Sequence, residues 1–263
     1  MLRIHTLRWL AATMLVFGLA RGADSQQLAA PPPSAEAATG FTPTQRAEIL
    51  SILRNALRED PSLLREALAS LDEADRRDRV QAQRNAIAEN AAALFRDGAD
   101  PFKGNPRGDL TIVEFFDARC GYCKQMHPAM EALLRRDPNL RVVLKDLPIL
   151  GPASVVASRA LLAAQRQGRY PQLYDGLMGL RGEPTESALR QQAERVGLDW
   201  ARLRRDMEDP ALQARIETNL RLAQSLGIEG TPALIIGNAL VPGAIDLPAL
   251  ERMVAEARAV NPR

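Results

Sequence analysis

The spacing of apolar positions changes several times along the chain, and each change marks a different element. From residue 42 onward the period is helical. Thr42 stands as an N-cap, Pro43 opens the first turn and Gln45 completes a capping box, after which Ile49, Leu50, Leu53 and Leu57 form one apolar face. Asp60 and Pro61 end that helix and open a second, carrying Leu63, Leu64, Ala67, Leu68 and Leu71. A third helical stretch, about 73–95, is densely charged, and its large apolar residues Val80, Ile87 and Leu94 fall one heptad apart. So thin a stripe cannot build a core alone. It fits a helix that docks on another subunit or extends as a stalk, and equally a surface helix packed on its own domain.

Residues 97–109, DGADPFKGNPRGD, are dense in glycine, proline and aspartate and predict a domain boundary. The pattern then turns to strands. LTIVEFF, residues 110–116, is a short apolar and β-branched run that reads as a buried strand. A helical pattern through Met126, Met130, Leu133 and Leu134 follows, then a second strand in LRVVLKDLPI. Strand, helix, strand implies a parallel pair. Over about 152–226 no strand pattern occurs, and helical segments are separated by Gly168, RGEPTES, Gly197 and EDPA. TPALIIGNALVPG reads as two short strands turned at Gly237 and Asn238, and Asp246 caps a last helix. The order predicts an α/β fold with a helical insertion, preceded by an all-α segment.

At the N-terminus, Arg3 and Arg8 precede an apolar run from Trp9 to Ala20 with small residues at Gly18 and Ala20. This predicts an export signal over 1–22, and the run is short for a membrane span, although an uncleaved anchor is the alternative. Residues 23–41, with three consecutive prolines and almost no large apolar side chain, predict a disordered linker. The expected organisation is therefore signal 1–22, linker 23–41, helical segment 42–97 and catalytic domain 98–263, in an exported, soluble, periplasmic protein. Lys and Arg number 34 against 32 Asp and Glu, a net charge of +2, so nothing points to nucleic acid or to a polybasic membrane patch.

The chain has two cysteines, Cys120 and Cys123, inside EFFDARCGYCKQMHP. One pair closing so small a loop contributes little as a staple, so the thiols read as reactive. Cys120 falls at a helix N-terminus, where free backbone N–H groups and the helix dipole stabilise a thiolate; Arg119 beside it is a second source of positive charge only if its side chain points the same way, which adjacency in sequence does not require. Cys123, one turn on, is close enough to form a disulfide with Cys120, so a mixed disulfide made by Cys120 can be resolved by Cys123. Glu114 within IVEFF is expected to be buried, which requires a partner or a raised pKa. His127, two turns past Cys120, is too far along to be its base and reads as a surface or packing residue.

VEFFDARCGYC, the later GTPALIIG and the helical insertion between them resemble the DsbA-type branch of the thioredoxin superfamily, periplasmic thiol-disulfide oxidoreductases. The resemblance covers about 109–260. It implies a thioredoxin fold with Cys120 as nucleophile, Cys123 as buried resolving cysteine, and Glu114 as the acid that handles the resolving thiol's proton. Thr231 and Pro232 match the cis-proline loop facing the disulfide, Pro128 matches a proline that kinks the active-site helix, and Tyr122 is expected to offer clients a stacking face. Strong oxidases of the family carry histidine between the cysteines. Gly121 and Tyr122 stand there instead, which with Thr231 resembles the isomerase and reductase branch. The helices over 42–95 resemble the oligomerising segment of the ScsC type and imply a homo-oligomer.

The same resemblance implies cysteine-containing client proteins and a membrane redox partner of DsbD or DsbB type, with no small-molecule cofactor. Structural zinc needs four nitrogen or sulfur ligands, and past residue 22 the sequence offers only two cysteines and His127. Copper(I) accepts two thiolates with Met126 nearby, so the competing reading is a copper(I)-binding or chaperone-like module without turnover.

Overall fold

The computed structural model describes residues 40–260; the expected signal and all but the last residues of the expected linker lie outside them. The chain divides into two compact units, Met1–Arg65 and Glu66–Arg263. The boundary expected at 97 falls inside the second.

In the first unit, helix α1 (Pro43–Glu59) starts as expected: Gln45 N–H donates to Thr42 Oγ1 at 3.3 Å and Thr42 N–H to Gln45 Oε1 at 2.8 Å. α1 has no buried residue, and Leu53 on its apolar face is 52% exposed. Helix α2 (Ser62–Glu89), most of whose residues belong to the second unit, covers the stretch where one expected helix ends and the next begins. Nothing between Leu71 and Ala74 breaks a helix, since the residues there, Asp72 and Glu73, are neither glycine nor proline.

The second unit continues through α3 (Ala91–Phe95), β1 (Phe102–Gly104), β2 (Leu110–Phe116), α4 (Gly121–Arg136) and β3 (Leu140–Asp146). Five helices follow: α5 (Pro152–Gln165), α6 (Tyr170–Met178), α7 (Glu186–Arg195), α8 (Trp200–Met207) and α9 (Pro210–Ser225). β4 (Ala233–Ile236), β5 (Ala239–Pro242) and α10 (Leu247–Val260) complete it. The sheet runs β1-β3-β2-β4-β5, with β2 and β3 parallel and every other pair antiparallel. This is the α/β fold with a helical insertion that the order of strands and helices predicted, and the thioredoxin-like arrangement that the resemblance implied.

The heptad stripe divides. Ile87 and Leu94 are buried with Val113, Phe115 and Val143 on one face of the sheet, whereas Val80 is exposed. The last turns of α2 therefore pack on their own domain. On the opposite face, Ile112, Phe116, Leu144 and Leu234 meet Met126 and Met130 of α4 and Leu161, Tyr170 and Tyr174 of the insertion. Burying large side chains of this kind stabilises by roughly 1.5–3 kcal/mol each.

Residues 97–109, expected to mark a boundary, lie inside the second unit and hold β1 and an ion-pair cluster. Phe102 pairs with Val143, and Gly104 adopts φ +80° where a Cβ would collide with the Leu140 carbonyl. Lys145 Nζ lies 2.6 Å from Asp100 Oδ2 and 2.8 Å from Ala93 O, while Arg215 binds Asp97 at 2.6 Å and also reaches Asp100. The glycine and proline content that signals a linker serves here to seat a short edge strand.

Candidate active site

β2 ends at Phe116, the chain turns through Asp117, and Cys120 becomes the N-cap of α4. Both cysteines are free thiols, so the dithiol form is the one described. Cys120 retains 6% exposure and Cys123 none, so the nucleophile is only slightly more accessible than its neighbour. Cys120 Sγ lies 3.1 Å from the Thr231 carbonyl oxygen, and the Thr231–Pro232 peptide is cis, so β4's leading loop sits directly against the thiol. Pro128 lies inside α4, and Tyr122 at its first turn is 67% exposed.

The two thiols are driven apart electrostatically. The Cys123 side chain hydrogen-bonds the Cys120 sulfur, and with the Thr231 side chain and the N–H groups of Cys123 and Tyr122 it lowers Cys120 to about 5 against the opposing effect of burial. The Thr231 carbonyl favours the protonated thiol, but these donors outweigh it. Cys123 is pushed well up, first because it donates to Cys120, then by burial and by the negative charge of Glu114. At neutral pH the geometry therefore holds one thiolate and one thiol.

Glu114 is fully enclosed on β2, and burial raises its carboxyl to about 7. Its Oε2 accepts a hydrogen bond from the Tyr174 hydroxyl at 3.1 Å, whereas Oε1 has no partner among the described residues. Tyr174 is not among the residues singled out from the sequence, since it lies 60 positions away on α6. Its only local signal is a place on an apolar helix face. A matching pair lies one step across the sheet, where Tyr170 donates to Asp146 Oδ2 at 2.6 Å and burial again raises the carboxyl to about 7.

Arg119, beside Cys120 in sequence, gives its hydrogen bonds to other partners. Its guanidinium engages Glu183 through Nε to Oε2 at 2.5 Å and Nη2 to Oε1 at 2.8 Å, and Nη1 donates to Leu150 O. Lys124 Nζ donates to Leu180 O at 2.9 Å, so the loop before α7 is tied to the active-site helix. His127 is half enclosed beside Tyr174, with ring centroids 5.4 Å apart, and burial lowers its pKa. The donor atoms of His127, Glu131 and Asp175 lie within 4.8 Å of one another, but the Lys103 ammonium already bridges Glu131 and Asp175. That bridge fits a salt-bridge cluster better than a metal centre.

A family model described as "DSBA-like thioredoxin domain" matches residues 111–255. Among curated proteins, "Na(+)/H(+) antiporter NhaA 1" of Salinispora arenicola is 32% identical over 160 residues, which are 60% of this chain and 24% of that protein. The chain thus spans about a quarter of that relative's length. A thioredoxin-like oxidoreductase from Silicibacter pomeroyi is 43% identical with a TM-score of 0.62, covering 64% of this chain and 97% of that structure. A linker-deletion mutant of Proteus mirabilis ScsC is 28% identical with a TM-score of 0.64, covering 85% of this chain and 99% of that one. By sheet order, insertion and sequence match together, the chain belongs to the DSBA-like thioredoxin domain family.

Proposed function

We propose that this protein exchanges disulfides with cysteine-containing client proteins through Cys120 and Cys123, in the isomerase or reductase sense more than as an oxidase. The observation that carries the reading is geometric: Cys120 caps the N-terminus of α4 with its sulfur 3.1 Å from the Thr231 carbonyl of the cis-proline loop, and the buried Cys123 stands one turn on along the same helix. The Cys120 thiolate attacks a client disulfide, forms a mixed disulfide and releases one client sulfur as thiolate. Cys123 then gives its proton to Glu114 and attacks Cys120 Sγ. The Cys120–Cys123 bond forms, the bond to the client breaks, and the client gains the two electrons the enzyme dithiol has lost. Thr231 and Pro232 border the attacking sulfur and, with the exposed Tyr122, form the client-binding edge.

The direction rests on the residues that tune the thiolate. The segment between the cysteines supplies backbone N–H groups but no imidazolium, so the support comes from Cys123 and Thr231 instead. Turnover in this sense requires a reductant, and a membrane partner of DsbD type fits; a DsbB-type oxidant fits the opposite sense. The signal pattern of residues 1–22 supports export to the periplasm. The apolar faces of α1 and α2 support assembly of several copies, with the helical segment as the assembling part, the redox domain following it, and no nucleic acid involved.

The test is the reduction potential of the Cys120–Cys123 couple in glutathione buffers. A value of about −180 mV or lower is expected; about −120 mV would overturn the isomerase and reductase sense. Reduction of insulin, lost in Cys120→Ser, separates the enzyme from the copper(I)-binding module, which predicts tight copper binding with no exchange.

A further inference from the structure

The exchange proposed above needs a proton to leave Cys123 inside a dry site. Four elements converge on the acid that receives it. Glu114 on β2 meets Tyr174 of α6 through a hydrogen bond, Lys103 of β1 and Glu131 of α4 act on it through charge, and its own negative charge raises Cys123 of α4. Lys103 stands 5.6 Å from the centroid of the Tyr174 ring while it bridges Glu131 and Asp175, and the His127 ring packs edge-on to the same tyrosine. Tyr174 is thus wedged between the buried acid and a charged cluster.

We propose that Tyr174 is the positioning residue of the resolving step: its hydroxyl holds Glu114 Oε2, leaving Oε1 as the oxygen that exchanges the proton of Cys123. This rests on the proton role of Glu114 proposed above. A carboxyl in an apolar pocket is free to rotate and present either oxygen, and one fixed donor removes that choice. The donor stays a donor, because burial and the neighbouring Glu114 and Cys123 charges hold the Tyr174 hydroxyl well above its ordinary pKa. The same hydrogen bond favours the carboxylate against the desolvation that opposes it, as does Lys103, whereas Glu131 disfavours it. Tyr174 therefore sets both which oxygen reacts and the pH at which it becomes a base.

The test isolates the attack of Cys123. The dithiol protein is mixed with excess 5,5′-dithiobis(2-nitrobenzoate) in stopped flow across a pH series: the first thionitrobenzoate leaves as Cys120 forms the mixed disulfide, at a rate that scales with reagent, and the second leaves as Cys123 attacks Cys120 Sγ, at a reagent-independent rate, which is the one followed. Wild type, Tyr174→Phe, Glu114→Gln and the double variant are compared. In wild type the rate rises with a midpoint near 7, where Glu114 ionises. Loss of a hydrogen bond to a charged group predicts a midpoint about one pH unit higher in Tyr174→Phe. Glu114→Gln abolishes the step, and adding Tyr174→Phe changes nothing further. An unmoved midpoint in Tyr174→Phe, with the step still lost in Glu114→Gln, overturns the inference and leaves the role of Glu114 standing. Persistence of the step in Glu114→Gln overturns that role and the inference with it. Should Tyr174→Phe fail to fold, the Tyr174 Cζ carbon shift in wild type decides: it must titrate with the Glu114 midpoint, and a flat profile overturns the inference.

Discussion

Arg119 is the residue immediately before Cys120, yet its guanidinium is paired with Glu183, 64 positions later, through two hydrogen bonds at 2.5 and 2.8 Å. The positive charge nearest the nucleophile in sequence is thereby neutralised by the helical insertion. Glu183→Gln leaves Arg119 uncompensated, so the Cys120 midpoint is expected below about 5. The group is solvent-exposed, so the drop should be under about one pH unit and should shrink with added salt. Thiolate absorbance against pH measures it, and an unchanged or higher midpoint would show that Arg119 has no electrostatic hold on the sulfur.

Cys123 is the largest single support of the Cys120 thiolate. Cys123→Ala is expected to raise the Cys120 midpoint from about 5 by more than about one pH unit, because a hydrogen bond to a charged sulfur is lost. Thr231→Val removes a smaller contribution and should move it the same way by less. The pH dependence of iodoacetamide alkylation reads both. Equal shifts in the two variants would contradict the ranking.

Glu114 and Asp146 hold carboxyls raised to about 7, from ordinary values of 4.5 and 3.8. Between those limits the folded chain keeps protons that the unfolded chain releases, so each acid makes stability fall as pH rises from about 4 to about 7. Asp146→Asn removes one of these contributions. Wild type should lose stability relative to the variant across that window, by up to about 1.4 kcal/mol per pH unit. Urea unfolding of the oxidised proteins at several pH values checks this, oxidation removing the thiols' own titration. A constant difference between the two proteins would mean Asp146 does not titrate there.

Leu53 of α1 and Leu64 of α2 are half exposed on helices that bury little of their own. If these faces assemble copies of the chain, Leu53→Glu with Leu64→Glu should lower the mass found by light scattering to that of one chain. Alkylation of Cys120 should be unaffected. A monomeric wild type would remove the basis for the expectation.

Local physics made most of the frame legible. The Thr42 capping box, the Gly237–Asn238 turn and the Asp246 cap, whose Oδ1 accepts from Ala249 N–H at 2.9 Å, all act within a few residues. The cysteine pair at the start of α4 was legible for the same reason. What escaped depends on distance along the chain. Tyr174, Tyr170 and Glu183 acquire their meaning only when the insertion folds back on β2, β3 and the Arg119 turn, and nothing in their own neighbourhood announces it. β1 escaped for a different reason: an edge strand of three residues in a glycine- and proline-rich run carries no alternation to read. The heptad of Val80, Ile87 and Leu94 is a third case, since one spacing served two environments.

The two tyrosines of α6 also limit how freely the fold can be remodelled. One helical turn of the insertion supplies the hydroxyls for two buried acids on neighbouring strands. Cutting away the helices between β3 and β4 to obtain a minimal scaffold would strand both acids, each then lacking the donor that offsets its desolvation. A trimmed or grafted version of this domain would therefore have to exchange Glu114 and Asp146 at the same time. The sheet and its insertion are transplantable together, and neither is a detachable part.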